Sequence, residues 1–181
     1  MNISIKKING DVIFSGDFES IKACVEAAIK QEKVLIYADL ISADLSYADL
    51  RYANLSSADL SSANLRSIES DFLAEVLKLP NESEFLRAAI IDGKIDGSTY
   101  SGECACLAGT LAHSKGIVKY TGENIKNGLE FVADQYSPRE RFFLMIRKGD
   151  KPETNSASKI ALEWTDKAIA IRDNIRKQVA A

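Results

Sequence analysis

Cys104, Cys106 and His113 are the one cluster of soft side chains in the sequence. Two chemistries suit such groups. A structural zinc site takes four ligands, with a first pair commonly spaced C-x₂₋₄-C. Here the spacing is C-x-C, and His113 is the sole histidine of the chain. On a helix, side chains two apart point about 200° from one another, so the two thiols diverge. Nucleophilic catalysis instead needs a thiolate held by an imidazole within hydrogen-bond reach. Cys106 and His113 are two helical turns apart on one face, which separates their Cα atoms by about 10.5 Å. Direct contact is excluded, while Cys104 or Cys106 with a distant partner stays open. Buried structural cysteines are the plainer reading.

A second candidate is the loop Asp96-Gly97-Ser98-Thr99-Tyr100-Ser101-Gly102, whose glycines and hydroxyls suit a phosphate. It carries neither G-x-x-x-x-G-K-[ST] nor G-x-G-x-x-G. A turn between two helices accounts for it, although functional residues do concentrate on loops. The third candidate is acidic. Glu69, Asp71, Glu75, Glu82 and Glu84 fall in one stretch against Lys78 alone. Asp39, Asp44, Asp49 and Asp59 lie upstream against Arg51 and Arg66. Carboxylates on a regular backbone can occupy a cationic groove built for phosphates. Tyr47 and Tyr52, with Arg51, predict an exposed aromatic patch on one edge, of the kind that favours protein interfaces. Incidental surface decoration is the plain alternative.

The elements that must position these residues are dominated by six tandem units from Ala38 to Ser67: ADLIS, ADLSY, ADLRY, ANLSS, ADLSS and ANLRS. A fixed short period means that each unit buries its apolar residues only by stacking on neighbours. Leucines five apart drift round a helix and alternate faces on a strand. A backbone that turns a corner every five residues points every Leu and Ala inward. Leu35 is in register, but Lys33 takes the inward Ala position and makes that unit degenerate. The motif resembles the pentapeptide-repeat family, A(D/N)LXX. The resemblance implies a right-handed quadrilateral β-helix with four units per coil. Coils stack at about 4.8 Å, so one and a half of them make a rod on the order of 10 Å long. Such a stub needs caps at both ends.

The flanks supply candidates for those caps. Ile3 and Ile5, then Val12, Ile13 and Phe14, flank Asn9-Gly10-Asp11 and predict a β-hairpin. Asp17 is placed to cap a helix with Ile21, Cys24, Val25, Ala28 and Ile29 on one face. Phe72, Leu73, Val76 and Leu77 predict a short helix ending before Pro80. Asn81 and Glu84 form a capping-box pattern for a helix holding Phe85, Leu86, Ala89 and Ile90, closed by Gly93. Leu107, Ala108 and Leu111 predict a helix to about Ser114, and a further one spans Glu123 to Gln135. Ser137-Pro138-Arg139-Glu140 is a helix start. Ile160, Trp164, Ala168, Ile171 and Ile175 line one face of a long last helix. The expected class is α+β: residues 1–37 as hairpin-plus-helix cap, 38–69 as solenoid and 70–181 as a mostly α-helical domain.

Composition narrows the function. The chain of 181 residues carries a net charge of −3 and gives no global preference for nucleic acid. No run approaches eighteen apolar residues, so no membrane helix is expected. The N-terminus lacks a signal-peptide apolar core, and three cysteines, an odd count, suggest a reducing cytoplasm. The opening hairpin and helix, DGSTYSGECACLAGTLAH at 96–113 and ERFFLMIRKGD at 140–150 resemble a group of phage and prophage pentapeptide-repeat proteins with a helical C-terminal domain. That resemblance implies a phage-borne origin in a bacterial host. Other members imitate duplex DNA, but this rod is too short to copy more than a few base pairs, at about 3.4 Å each. The expectation is a non-enzymatic protein without metal, cofactor or direct nucleic-acid contact. It would block a host DNA-binding protein complex, such as a CRISPR effector, by occluding a basic site. The alternatives are a phage assembly module and a cysteine-dependent enzyme. Candidate partner-binding residues are Asp39, Asp44, Tyr47, Asp49, Tyr52, Asp59, Glu69, Asp71, Glu75, Glu82 and Glu84. Exposed coil ends and the long last helix leave room for a homodimer.

Overall fold

The computed structural model describes residues 1–50, 52–55, 57–79, 81–99, 105–117 and 137–180. The tandem units turn corners as their period requires. At each corner the Ala N–H donates to the Leu carbonyl three residues earlier, from Ala38→Leu35 (3.1 Å) to Ala63→Leu60 (2.9 Å). The residue before each Ala is left-handed: Tyr37, Ser42, Tyr47, Tyr52, Ser57 and Ser62 have φ between 56° and 66°. A positive φ at the second central position alone is a type II turn, which favours Gly there. The leucines from Leu35 to Leu65 are all buried, Leu50 and Leu55 included. Units twenty residues apart are bonded edge to edge: Leu40 N–H to Asp59 O (2.9 Å), Asp59 N–H to Ala38 O (2.9 Å), Leu45 N–H to Asn64 O (3.0 Å). Four units therefore close one coil. Leu35 N–H donates to Asn54 O (3.1 Å), so the degenerate unit is a full step of the stack, with Lys33 turned out to solvent.

The upper mouth is closed by backbone. Strands β1 (Asn2–Lys7) and β2 (Val12–Asp17) form the hairpin, and β1 also pairs antiparallel with β3 (Ala38–Asp39) on the first coil, in the order β2-β1-β3. Lys6 faces Asp39 and Lys7 faces Ala38. Helix α1 (Ile21–Lys30) buries Cys24, Val25 and Ala28. Its cap is Ser20, whose hydroxyl accepts from Ala23 N–H, because β2 runs on to Asp17 and takes up the residue expected to cap. Glu26 reaches the coil and accepts from Asp49 N–H (2.8 Å).

The lower mouth is closed by side chains. Helix α2 (Arg66–Val76) begins inside the last unit and runs across the 69/70 division. Its Ile68 lines a small apolar void under the column with Leu50, Leu55, Leu60 and two residues of the chain near α5 (Pro138–Phe143), Phe142 and Met145. Phe72 stacks on Phe143 (centroids 5.9 Å), and Trp164 of α6 (Ser156–Val179) lies 4.6 Å from Phe142. Ser156 Oγ accepts from Leu60 N–H (3.3 Å) and donates to Ala58 O (3.2 Å). One core runs from Ile5 through the leucines to Ala168.

The helices beyond differ from expectation in detail. Helix α3 (Ser83–Ile91) lacks the capping box: Glu82 stands at the cap with helical dihedrals, and Asn81 accepts from Arg176 instead (2.9 Å). Phe85 is exposed, while Ser83, Leu86, Ala89 and Ile90 face the core. Helix α4 (Leu107–His113) and the Ser137 cap, which accepts from Glu140 N–H, form as expected. Along α6 the buried face is Ala157, Ala161, Trp164, Thr165 and Ala168. Ile175 is exposed because that end of α6 meets α3 through Arg172 and Arg176. The helix expected at Glu123–Gln135 lies outside the described residues, as do Arg51 and Cys104.

Candidate functional site

Among the described residues, the cysteine chemistry does not assemble. Cys106 sits buried at the start of α4. Burial, and then the carboxylate of Glu140 beside it, pushes its thiol up to about 12. A thiol held there is neutral at physiological pH and is no nucleophile. His113 closes the same helix two turns on. Among the described residues, no three His, Cys, Asp or Glu side chains are placed to hold a metal ion.

The glycine of the polar loop has a packing role. A Cβ on Gly97 would collide with the Phe143 carbonyl and Leu144 Cα, and Gly97 N–H donates to Ile146 O (2.9 Å). Asp96 holds the turn by accepting from Ser98 N–H (3.1 Å) and Ser98 Oγ (2.6 Å). The first half of the loop is therefore pressed on the chain after α5. Only a glycine permits that approach. Tyr100, Ser101 and Gly102 lie outside the described residues.

The acids of the 69–84 stretch are all engaged within the chain. Glu69 pairs with Lys167 (2.6 Å), Asp71 with Arg139 (2.8 Å), Glu75 with Lys78 (2.7 Å) and Glu84 with Arg172 (2.9 Å). Glu82 is buried and pairs with Lys115. Four of these pairs, those of Glu69, Asp71, Glu82 and Glu84, tie α2 and α3 to the rest of the helical half, while Glu75–Lys78 is local.

The repeat carboxylates behave differently. Asp39 Oδ1 accepts from Ile41 N–H (3.3 Å), Asp44 from Ser46 (3.0 Å), Asp59 from Ser61 (2.9 Å), and Asn64 from Arg66 (3.3 Å). This explains why the second residue of each unit is Asp or Asn: either amide or carboxylate oxygen pins the next corner. Hydrogen bonds from Ser46 hold the Asp44 carboxyl below the usual range. Among the described residues, none of Asp39, Asp44 and Asp59 forms a salt bridge. The four aspartates do not share a face, however. Asp39 stacks on Asp59 and Asp44 on Asn64, so with Asp49 they occupy three successive sides of the coil.

Tyr47 and Tyr52 are 70% and 67% exposed. They stand at successive corners rather than along one edge, because stacking needs a twenty-residue offset. Arg141 lies over the Tyr52 ring, 5.4 Å from its centroid. Sequence reasoning missed both this contact and Tyr37, an exposed tyrosine at the same corner position. The repeat register would have found Tyr37, since it falls ten residues before Tyr47.

Residues 35–67 match the family model of pentapeptide repeats, counted as eight copies. Residues 35–67 are thus a pentapeptide-repeat segment within this chain. No curated protein and no solved structure matches it. The family match starts at Leu35, where the pentapeptide stack also begins. Among the described residues, no helix is long and apolar enough to cross a membrane.

Proposed function

We propose that this pentapeptide-repeat protein is a non-catalytic protein-binding module whose contact surface is the outside of the coil. The observation that carries this reading is the set of tyrosines at left-handed corners. Ser occupies the same position in three other units, so bulky aromatic rings are not needed to form the turn. Large, exposed aromatic side chains near an Arg are the residues that anchor interfaces. The repeats read as a short right-handed quadrilateral β-helix, supported by the twenty-residue bonding. Residues 1–37 would serve as its cap and 70–181 as its helical base.

The finer reading is a phage-encoded inhibitor, of the anti-CRISPR or DNA-mimic type, acting in the host cytoplasm on a DNA-binding complex. The outward carboxylates of Asp39, Asp44 and Asp59 support it. The 69–84 acids lend it little, since their charge is neutralised within the chain. The tyrosines favour the second reading, a phage assembly module. Affinity capture from a bacterial lysate, at low and high salt, separates the two. An occluding inhibitor releases its partner as salt rises, because exposed charges are screened. An assembly module holds its partner in salt and loses it in a Tyr47→Ser/Tyr52→Ser variant. If neither treatment changes what is retained, the coil surface is not the contact.

A further inference from the structure

Beside the repeats lies a groove of about 420 Å³, between the corner-to-corner segment Ser57–Ser61 and the chain from Asp150 to Lys159. Its floor carries Asp59, Asp150 and Glu153 against Lys159. Asp150 accepts from Arg147 N–H (2.9 Å) and Asn155 Nδ2 (3.0 Å). Asp59 accepts from Ser61 N–H. Among the described residues, neither they nor Glu153 is salt-bridged. One coil above, the same side of the stack carries large apolar groups. Tyr37 stands over Ser57 and Ile41 over Ser61, by the twenty-residue offset. They are 53% and 54% exposed. Ile8 joins the two levels: it lines the groove, is 59% exposed, and its N–H donates to Tyr37 O (2.9 Å).

We infer that this face is a docking site for a partner segment that carries Lys or Arg interleaved with apolar side chains. The inference rests on the binding reading above and specifies the partner's chemistry. Concavity and charge argue for it together. Asp39, Asp59, Asp150 and Glu153 outnumber Lys6 and Lys159, so the face is net negative and selects a cation. The Ile8, Tyr37 and Ile41 rim supplies apolar area that a hydrated ion would leave unused. The 69–84 carboxylates offer no such site, because their countercharges are built in.

The probe is a synthetic decapeptide of alternating Lys and Leu, with alternating Glu-Leu and Lys-Ser decapeptides as controls. Amide chemical shifts of the full chain are followed by NMR. The Lys-Leu peptide should move Ile8, Tyr37, Ile41, Ser57–Ser61 and Asp150–Lys159, and both controls should bind more weakly. Glu153→Lys and Ile41→Ser should each weaken binding on the order of tenfold. Ile41→Ser preserves the fold, since Ser46 and Ser61 hold the equivalent place. Equal response to the Glu-Leu peptide, or shifts spread evenly over α2 and α3, overturns the site. A drop in mass by light scattering in Ile41→Ser would identify the occupant as a second copy and overturn it too. Capture separates the two levels of argument. A partner retained by Glu153→Lys and Ile41→Ser but lost in Tyr47→Ser/Tyr52→Ser refutes the groove alone. Absence of any partner refutes the binding reading.

Discussion

Two groups of carboxylates in this chain have similar density and opposite fates. Those from Glu69 to Glu84 lie on helices and each meets a cation of the same chain. Asp39, Asp44 and Asp59 of the repeats lie on the sides of the coil and accept from backbone amides two residues ahead, and among the described residues none of them is salt-bridged. The difference follows from geometry. A helix packed on other helices brings distant basic side chains within reach, whereas among the described residues no basic side chain is brought into a salt bridge with Asp39, Asp44 or Asp59. Acidity in a sequence therefore has no fixed meaning for binding. What counts is whether the fold has already provided the countercharge.

This contrast can be attacked directly. Asp71→Asn should have the largest effect, because it removes a carboxylate charge 2.8 Å from the buried Arg139 guanidinium. A cost of about 3 kcal/mol is expected, seen as a fall in Tm on the order of 10 °C. Glu84→Gln and Glu69→Gln should each cost under about 1 kcal/mol in denaturant titration, since one member of each pair is exposed. The triple variant Asp39→Asn/Asp44→Asn/Asp59→Asn should change stability by less than about 0.5 kcal/mol, since Asn64 already makes the same bond. The same triple variant should weaken capture of any cationic partner. A triple variant that unfolds would show that these aspartates hold the coil by charge. The smallest effect is in acid. The folded Asp44 carboxyl is depressed, so its contribution is present above its unfolded value, about pH 4, and is lost as pH falls through the folded value. An NMR titration of Asp44 should show this depression, and Ser46→Ala should reduce it.

Much of the fold was readable because its signals are local. The period of five dictated the leucine column, Asn9-Gly10-Asp11 the hairpin, and Ser137-Pro138 the start of α5. The site was less readable because its determinants are remote. Glu69 and Lys167 lie 98 residues apart, Asp71 and Arg139 68, and Glu84 and Arg172 88. A window on the sequence sees the carboxylates and not the cations. Only Glu75 and Lys78, one turn apart, could be paired by inspection. Gly97 misled for a related reason. Its missing side chain answers to a carbonyl near residue 143, not to a neighbour in the loop. Asn81 carried a correct local signal that lost to a tertiary one, the guanidinium of Arg176.

The hydroxyl of Ser156, spanning Ala58 and Leu60, has a bearing on how such an array can change length. Gain of a single pentapeptide would rotate the terminal side by a quarter turn and leave that hydroxyl facing the wrong strand. Gain of four would restore the same side one level lower, and α6 would only have to shift along the axis. Expansion by whole turns is thus tolerated by this terminator, and expansion by single units is not.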